Sequence, residues 1–397
     1  MEQQTCDVVI VGAGPAGLCF ASSLDPLGLR VVIVEKLAAA ELADPPYDGR
    51  EIALTRNSLG LLKQLGVLEH IPADQVSPMQ GARVLNGTMP RSLDIDSRDS
   101  ERLGALISNH DIRRAAFATA MAGRNVTLLS HATVESVGTN RDRAWVRLDD
   151  GRELSARLVV AADSRFSGTR RAMGIPARHQ DFGKTMLVCR MEHERPHEQL
   201  AWEWFGHEQT LAVLPLNGNR SSIVLTLPHT GIQRMQALDE GAFGAEMEAR
   251  FLGRLGHMSL ASERYAYPLV GVWPERLVAR RFAAIGDAAV GMHPVTAHGF
   301  NFGLLGQATL ARLLGRAVRH GTDIGGPLLL RHYELEHRHA TFPLYQATNA
   351  VVRLYTNDTL PARVARGALL QAASRFRPVG AVLSHLLSQD APRAQLR

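Results

Sequence analysis

Short runs of consecutive apolar residues stand near the start of the chain, separated by segments of mixed polarity. The first run lies within residues 7–11 and the second covers Val31–Val34. An uninterrupted apolar run of this length is typical of a strand buried on both faces of a parallel sheet. The segment between the two runs is long enough for one helix, so the chain is expected to begin with a strand, a helix and a second strand.

The same pattern predicts further elements along the chain. Between about residue 180 and about residue 267 the pattern predicts mainly strands, which indicates a second sheet. Helices are predicted at residues 57–65, 112–122, 242–255 and 304–314. Strands are predicted at residues 126–129, 134–137, 145–148, 158–161, 184–191, 211–214 and 222–227. The sequence therefore predicts an α/β fold.

Glycines follow the first strand at a spacing that suits a bound phosphate. Gly12 permits a tight turn, Gly14 lets a pyrophosphate approach the backbone, and Gly17 lets the next helix pack close to the sheet. The N–H groups at the start of that helix then face the phosphates. Glu35 closes the second strand and can accept hydrogen bonds from ribose hydroxyls. This unit predicts a nucleotide site, but it does not separate NAD from FAD.

A second glycine-containing turn follows a short apolar strand near residue 285. The strand ends in Gly286 and Asp287, and a helix is expected after the turn at residues 298–303. An aspartate at a strand end can bind a ribityl hydroxyl, and the positive end of a helix can stabilise negative charge on a reduced flavin ring. An aspartate that only caps a helix is the alternative. With both turns in one chain, the sequence favours FAD.

These motifs resemble the flavoprotein aromatic hydroxylases with the para-hydroxybenzoate hydroxylase fold, and among them the ubiquinone-biosynthesis hydroxylases of the UbiH, UbiF and UbiM kind. Segments around Arg50, Asn109 and Asp163 match the family at positions near its flavin, and residues 352–355 resemble the same branch. The resemblance therefore covers nearly the whole chain. The chain departs from positions where the family usually has a glycine, a histidine and a Gly-Gln pair, and carries instead Ser164, Val290, and Ala297 with His298.

The resemblance implies an FAD-dependent aromatic hydroxylase that uses NAD(P)H and O2. One oxygen atom would be transferred to an electron-rich ring held in a pocket that excludes water. The resemblance implies that Pro294 lies beside the reacting ring. His298 is the ionisable side chain of the adjacent glycine turn, and it either donates to the flavin or its peroxide as a catalytic residue or caps the following helix. The residues implied at the cofactor are Gly12, Gly14, Ala16, Gly17, Glu35, Lys36, Arg50, Asn109, Arg113, Asp163, Gly286, Asp287, Pro294, Gly299, Phe300 and Asn301.

The resemblance also implies how the chain divides into domains. Residues 1–73, 101–178 and 272–345 are expected to form a Rossmann-like FAD-binding domain. Residues 74–100 and 179–271 are expected to form an interleaved β-sheet substrate domain that covers the flavin. Residues 346–397 are expected to form a helical C-terminal segment.

Cysteine content and the absence of leader features indicate the compartment. Cys6, Cys19 and Cys189 are the three cysteines of the chain, and none has CxxC spacing, so free buried thiols in a reducing compartment are expected. The first residues lack a basic segment, and no apolar run reaches the roughly 18 residues of a membrane helix. The sequence therefore predicts a cytoplasmic protein without a membrane span.

The formal net charge of +5 is unevenly distributed. Residues 361–397 contain six arginines and one acidic residue. Such a basic amphipathic segment can contact anionic lipid at the inner membrane, or it can be the solvated face of a docked helix. No aromatic-interleaved basic stripe is present, so nucleic-acid binding is not expected. Pro196 opposes a helix that would align His193 with His197, so no metal site is expected either.

The substrate is the least constrained part of this interpretation. Trp202 and Trp204 share one face of a predicted strand and either pack in the core or line a pocket for an apolar aromatic substrate. The family branch implies a polyprenylated phenol or quinol, met at a membrane or received from partner proteins of ubiquinone biosynthesis. A small soluble aromatic acid is the alternative, and Arg190 or Arg220 would then meet its carboxylate. A flavin reductase or halogenase of the same fold is a further alternative, although the tryptophan-rich element of halogenases is missing.

Overall fold

The computed structural model describes residues 3–87, 92–96, 102–206, 209–292 and 299–356. The predicted α/β fold is confirmed. The strands, in chain order, are β1 (Gln3–Thr5), β2 (Val8–Val11), β3 (Val31–Val34), β4 (Glu51–Thr55), β5 (Ser77–Met79), β6 (Gly81–Asn86), β7 (Leu93–Asp96), β8 (Gly104–Ser108), β9 (Val126–Leu129), β10 (Val134–Thr139), β11 (Ala144–Leu148), β12 (Glu153–Ala156), β13 (Leu158–Ala161), β14 (Ala177–His193), β15 (Leu200–Phe205), β16 (Thr210–Pro215), β17 (Arg220–Pro228), β18 (Met258–Leu260), β19 (Tyr265–Pro274), β20 (Val278–Ala279) and β21 (Phe282–Ala284).

Helices connect the strands and cover the sheets. In chain order they are α1 (Pro15–Leu24), α2 (Ala39–Ala43), α3 (Arg56–Gln64), α4 (Asn109–Met121), α5 (Gly168–Ala172), α6 (His229–Ala237), α7 (Glu240–Arg250), α8 (Gly299–Arg319) and α9 (Pro327–Thr356). Within the described residues, no helix is both long enough and apolar enough to cross a membrane.

A six-stranded sheet carries the first glycine turn. Its order is β20-β21-β13-β2-β3-β9, and all neighbours are parallel except the pair of β20 and β21. Every residue of β2, β3 and β13 is buried, which explains why these strands are continuous apolar runs. Helix α1 makes the crossover from β2 to β3, and its first residue is Pro15, at a position where a missing N–H costs nothing. The predicted strand–helix–strand unit is confirmed.

A larger antiparallel-rich sheet lies beside this layer. Its path is β18-β14-β17-β16-β15-β6-β7, and β19 also pairs with β14. Strand β6 runs parallel to β15, so the early stretch 81–96 contributes two strands to a sheet otherwise formed by residues 177–274. Within the described residues, two smaller sheets complete the fold, with the orders β1-β12-β11-β10 and β4-β8-β5.

Alternation along the strands gives the large sheet two different faces. We call the side covered by α6 and α7 the helix face. It is an apolar core that includes Leu187, Cys189, Trp202, Trp204, Leu211, Val213, Ile223, Leu225, Phe243, Met247 and Phe251. We call the other side the open face. In the centre of the sheet it carries Met186, Val188, Arg190, Glu203, Ala212, Leu214, Ser222 and Val224.

The open face is only partly covered. Met186, Glu203, Ala212, Leu214 and Val224 all keep solvent-accessible surface, whereas the opposite face is buried. This difference shows that the described residues leave the open face partly free, whereas the helix face is closed.

Polar contacts join the open face to the three-stranded sheet. Arg190 donates to Glu51 Oε1 of β4 at 2.6 Å and lies over the ring of Tyr47, 4.8 Å from its centroid. Tyr267 of β19 donates its hydroxyl to the carbonyl oxygen of Asp48 at 2.7 Å. The open face therefore faces the segment just before β4.

The long helix α9 contains one departure from expectation. Residues 331–338 are expected to form a charged helix whose solvated face carries His332, His337 and the adjoining His339. His337 is instead 1% exposed and stacks on Tyr333 with a centroid distance of 5.8 Å. Tyr333 donates to the carbonyl oxygen of Ala284 at 2.7 Å, so this turn of α9 docks on the six-stranded sheet. The basic segment at residues 361–397 lies outside the described residues.

Candidate functional site

The first glycine turn has two positions dictated by packing and one that is open. A Cβ atom on Gly12, at φ +107°, would lie 2.5 Å from the carbonyl oxygen of Ala162, and one on Gly17 would lie 2.2 Å from that of Gly12. A Cβ atom on Gly14 would meet no atom nearer than 4.0 Å. Gly14 caps the N-terminus of α1, so the open space lies against the unpaired N–H groups of a helix end. That space has the room and the N–H donors that the predicted phosphate cradle requires.

Glu35 is fixed beside this turn. Its Oε2 accepts the N–H of Ala13 at 2.7 Å, and its Oε1 accepts that of Leu37 at 3.0 Å. Each carboxylate oxygen retains a further lone pair for a hydroxyl group. The carboxylate is therefore held in place at the end of β3 and can still accept hydrogen bonds. Lys36, next in the chain, is exposed.

The two glycine turns meet at α1. Gly286 has a φ of +60°, and a Cβ atom on it would lie 2.8 Å from Cβ of Ala16. Gly303 of α8 packs against the same glycine, with its own added Cβ 3.3 Å from Cα of Gly286. The sequence-predicted residues Gly12, Gly14, Ala16 and Gly286 are thus brought together at one end of the six-stranded sheet.

Asp163 packs behind the first turn and has an unsatisfied oxygen. Its Oδ2 accepts the N–H and the hydroxyl of Thr169, at 3.3 and 3.1 Å. Its Oδ1 is buried and has no hydrogen-bond partner among the described residues. Buried carboxylate oxygens are normally hydrogen-bonded, so this atom is suited to a donor from a ligand or an ordered water.

Arg50 and Asn109 are linked through Asp48. Asp48 Oδ2 accepts from Arg50 at 2.6 Å and from the side-chain amide of Asn109 at 2.8 Å. Burial disfavours the charge on Asp48, but these donors outweigh it and hold its pKa below the usual range. Burial lowers the pKa of Arg113, which lies within the electrostatic reach of Asp48, Arg50 and Glu35. These predicted positions therefore form one charged group between the first turn and the open face.

Asp287 lies at the other end of the site. Its Oδ2 accepts a hydrogen bond from Arg165 at 3.1 Å. Burial alone would lower the pKa of Arg50, but Asp48, Tyr267 and, with a smaller effect, Asp287 outweigh burial and raise that pKa. The side chain of Asp287 is 41% exposed, so it can still accept a hydrogen bond from a ligand. The carboxylate is an ion-pair partner of arginine in this structure.

Helix α8 begins at Gly299, next to these groups. Asn301 is 2% exposed, and its side-chain amide donates to the carbonyl oxygen of Ala53 and accepts the N–H of Thr55. These bonds attach the first turn of α8 to β4. Gly299 has open space around it, and Phe300 is half-buried. The first N–H groups of α8 have no partner inside the helix, which leaves them for a ligand or for the preceding loop.

The two candidate catalytic residues, Pro294 and His298, lie outside the described residues. Their roles remain predictions. The preceding Gly291 is described and pairs with Val272 of β19 in both directions, with N···O distances of 2.7 and 2.9 Å. The described chain just before residue 293 is therefore anchored to β19.

Trp202 and Trp204 are placed away from these residues. Both indoles lie on the helix face, 8% and 4% exposed, within the core beneath α6 and α7. Trp204 donates from its ring nitrogen to the carbonyl oxygen of Gly87 at 2.8 Å, and Arg254 lies over its ring. The structure shows core packing for both indole rings, which is one of the two interpretations that the sequence left open.

Three residues with contacts in this region were not singled out from the sequence. Asp48 connects Arg50 to Asn109, Arg165 connects to Asp287, and Glu203 stands on the open face. A signal for Glu203 exists in the sequence, because it is the single acidic residue in the run Ala201–Phe205 and has the opposite phase to the tryptophans. Asp48 and Arg165 lie in sequence segments that were noted for Arg50 and Asp163. Their own roles, as partners of Asn109 and Asp287, are visible only in the folded structure.

His193 and His197, the pair considered for a metal site, are engaged in structural hydrogen bonds. His193 contacts the carbonyl oxygen of Arg195 and the hydroxyl of Ser221, at 2.8 and 2.9 Å. His197 contacts the carbonyl oxygen of Leu216 at 2.9 Å. In the part of the chain that the structure describes, no three metal-ligating side chains come together.

Comparison with known proteins agrees with this geometry. A family model described as an FAD binding domain matches residues 5–345. The ubiquinone hydroxylase UbiM of Neisseria meningitidis is 42% identical over 388 residues, which cover 96% of this chain and 84% of that protein. The ubiquinone hydroxylase UbiL of Rhodospirillum rubrum is 35% identical over 377 residues, which cover 95% of this chain and 88% of that protein.

A solved structure shares the fold at low sequence identity. The p-nitrophenol 4-monooxygenase of Pseudomonas putida superposes with a TM-score of 0.76 at 18% identity, over 97% of this chain and 99% of that one. The side chains present here also fit FAD, because the open cradle at Gly14, the fixed Glu35 carboxylate and the orphaned Asp163 oxygen all lie at one turn. The chain therefore belongs to the FAD-binding-domain family of flavoprotein monooxygenases.

Proposed function

We propose that this protein hydroxylates the aromatic ring of a polyprenylated phenol or quinol, a precursor of ubiquinone, with FAD, NAD(P)H and O2. The observation that carries the proposal is its 42% identity to a ubiquinone hydroxylase over nearly the whole chain. The open face of the large sheet supports the same conclusion. It offers a partly exposed apolar surface, formed chiefly by Met186, Ala212, Leu214 and Val224, next to the Arg50 group.

The two arginines expected to meet a small aromatic acid are not placed to do so. Arg190 lies on the open face, but its guanidinium is bound to the Glu51 carboxylate, whose side chain is 2% exposed. Arg220 is exposed at the start of β17 and donates to the carbonyl oxygen of Asn217 at 3.4 Å. A carboxylate on the substrate would have to compete with Glu51 for Arg190. This arrangement favours a neutral, apolar ring over an acid.

Each part of the site then has a distinct task. When bound and reduced by NAD(P)H, FAD supplies the activation of O2 for insertion of one oxygen atom into the ring. The N-terminus of α1 and the open position at Gly14 hold the pyrophosphate, and Glu35 holds the ribose. Asp287 and the first N–H groups of α8 hold the flavin end of the cofactor. The open face positions the ring and excludes water from it.

A polyprenyl chain is insoluble in water, so the protein must receive its substrate from a lipid surface or from another protein. We propose a cytoplasmic enzyme with peripheral contact at the inner membrane or with partners in ubiquinone biosynthesis. The six arginines at residues 361–397 are the segment with suitable charge for an anionic surface. The proposed division into an FAD-binding domain and a substrate domain matches these tasks.

Complementation tests this function in cells. A bacterium that lacks one ring hydroxylase of ubiquinone biosynthesis accumulates a prenylated intermediate, and expression of this protein should consume that intermediate and restore ubiquinone. The Gly14→Val variant, in which we expect the phosphate cradle to be blocked, provides the matched control. Persistent accumulation despite soluble, FAD-loaded protein would reject the proposed substrate. Stimulation of NAD(P)H oxidation by phenolic acids would then support the small-aromatic alternative.

A further inference from the structure

Glu203 occupies the centre of the open face. It pairs with Ala212 of β16 on one side and with Val84 of β6 on the other. Ala212 in turn pairs with Val224, and Val224 pairs with Val188. Paired residues on neighbouring strands share a face, so Glu203 is a single carboxyl group in an otherwise aliphatic row across the sheet.

No contact inside the described part of the protein explains this carboxyl group. Within those residues Glu203 has no hydrogen bond and no ion pair. On the same face of β6 and β16, the two strands beside it, no charged side chain is present. The charged residues of that face stand on β14 and β17, at least two strands or about 10 Å away; they are Lys184, Arg190, Glu192 and Arg220.

The surroundings of Glu203 favour its protonated form. Burial raises the pKa of the carboxyl to about 8. A carboxyl that is partly withdrawn from water and has no partner is costly to the fold, and a hydrophobic side chain at this position would remove that cost. A carboxyl whose pKa lies near neutrality can both donate a hydrogen bond and accept a proton, which is the requirement for proton transfer with a substrate.

The open face is also the face that meets the cofactor region. Tyr267 lies on this face through its pairing with Met186. Its hydroxyl donates to the carbonyl oxygen of Asp48, and the Arg50 guanidinium lies 5.5 Å from its ring centroid. Arg50 in turn lies within the electrostatic reach of Asp287. Glu203 lies on the same side of the sheet as Tyr267, four strands or roughly 19 Å away. A ring bound over the middle of the open face would therefore have Glu203 on one side and a cofactor extending from the Arg50 group on the other.

We infer that Glu203 binds a ring hydroxyl of the aromatic substrate and accepts its proton during hydroxylation. The phenolic O–H bond breaks, the proton passes to a carboxylate oxygen of Glu203, and the electron pair stays on the ring oxygen. The resulting phenolate is more electron-rich and therefore more reactive toward an electrophilic oxygen. This inference rests on the proposed function, because it requires a substrate with a ring hydroxyl and no carboxylate.

Two substitutions separate binding from proton transfer. Glu203→Gln retains an amide that can hydrogen-bond but cannot ionise, and Glu203→Leu removes both capacities. The FAD-loaded full chain is assayed with a phenol that carries one isoprenoid unit beside its hydroxyl. For Glu203→Gln we expect kcat to fall by about 100-fold with KM little changed, as for loss of a general base. For Glu203→Leu we expect KM to rise as well.

The pH profile and a control complete the test. In the wild-type protein kcat should rise with pH through the Glu203 pKa near 8, and Glu203→Gln should abolish that rise. Glu135→Gln makes the same change at an exposed position of β10, in a different sheet, and should leave kcat, KM and the profile unchanged. Wild-type kcat and pH profile in Glu203→Gln would overturn the inference and leave the proposed function intact. Failure of both Glu203 variants to fold would assign Glu203 a structural role and overturn it too.

Failure of the proposed function has a different signature. The wild-type protein itself would then show no turnover of the prenylated phenol while it hydroxylates a carboxylate-bearing aromatic. That result would reject the substrate class, and with it the role of Glu203.

Discussion

Asp287 and Glu35 are the two carboxylates that we propose lie at opposite ends of bound FAD, and both already accept hydrogen bonds within the protein. We expect Asp287→Ala to leave the fold intact and to weaken FAD binding by roughly 1.5–3 kcal/mol, the value of a hydrogen bond to a charged group. Titration of the apoprotein with FAD measures the change. Asp150→Ala, in an exposed hairpin turn, is the control and should bind as the wild type does. Unchanged affinity in Asp287→Ala would leave Asp287 as a partner of Arg165 alone.

Glu203 also predicts a pH-dependent stability. Its pKa is about 8 in the folded protein against the ordinary glutamate value of 4.5, so the native protein binds more protons than the unfolded chain between these values. The free energy of unfolding therefore falls as the pH rises between these two pKa values. The unfolding midpoint of Glu203→Gln should exceed that of the wild type by an amount that grows from about pH 5 to about pH 9. A difference in unfolding midpoint between the two proteins that does not change with pH would show that the Glu203 carboxyl is solvated in the folded protein and has no raised pKa.

For single residues, the spacing along the chain predicted more of the site than the residue types did. The glycines and Glu35 could be found because a phosphate cradle needs fixed intervals between a strand, a turn and a helix. The phase of β15 was equally visible, since alternation puts Trp202 and Trp204 on one face and Glu203 on the other. Alternation does not say which face is covered by helices. That assignment required α6 and α7 to be placed.

The N-terminus of α1 is the element on which cofactor binding depends most. Gly14 has φ −71° and ψ 169°, which valine adopts readily, and its surroundings are open. We expect Gly14→Val to fold normally and to purify without FAD, because the new side chain fills the phosphate cradle. Far-ultraviolet circular dichroism and the flavin absorbance measure the two effects. Gly60→Ala in α3, also in open space, should remain yellow.

Two outcomes for Gly14→Val would oppose this account. A yellow variant would mean that the pyrophosphate binds elsewhere. A colourless variant that is also unfolded would make Gly14 a packing position like Gly17, where a Cβ atom would lie 2.2 Å from the carbonyl oxygen of Gly12.

Short, mainly apolar strands were predicted to the residue, and longer elements of mixed polarity were not. Strands β3, β9 and β13 have the predicted bounds, whereas β14 extends over Ala177–His193 instead of residues 184–191. The first part of β14 is mostly exposed and polar, so no apolar run marks it. Helix α8 likewise begins at Gly299, five residues before its predicted start, because its first turn includes two glycines that local propensity disfavours.

At the scale of the whole molecule, the Glu51–Arg190 pair ties the large sheet to the site. We expect Glu51→Gln to destabilise the protein by about 2 kcal/mol, since it leaves a half-buried guanidinium without its counter-charge. The midpoint of thermal unfolding of the FAD-bound protein measures this change. Glu153→Gln is the matched control, because its partner Arg147 is 52% exposed and such pairs contribute little. Equal shifts of the unfolding midpoint in the two variants would show that the Glu51–Arg190 ion pair stabilises the protein no more than an exposed ion pair does.

In the proposed reaction, one oxygen atom of O2 enters the ring of a prenylated phenol. The most direct measurement supplies isotopically labelled O2 to the purified, FAD-loaded protein with NAD(P)H and the prenylated phenol, followed by mass spectrometry of the product. The account predicts a hydroxylated product that carries one labelled oxygen atom, formed only when all three are present. Consumption of NAD(P)H and O2 with no labelled product, or a label that originates from water, would contradict it.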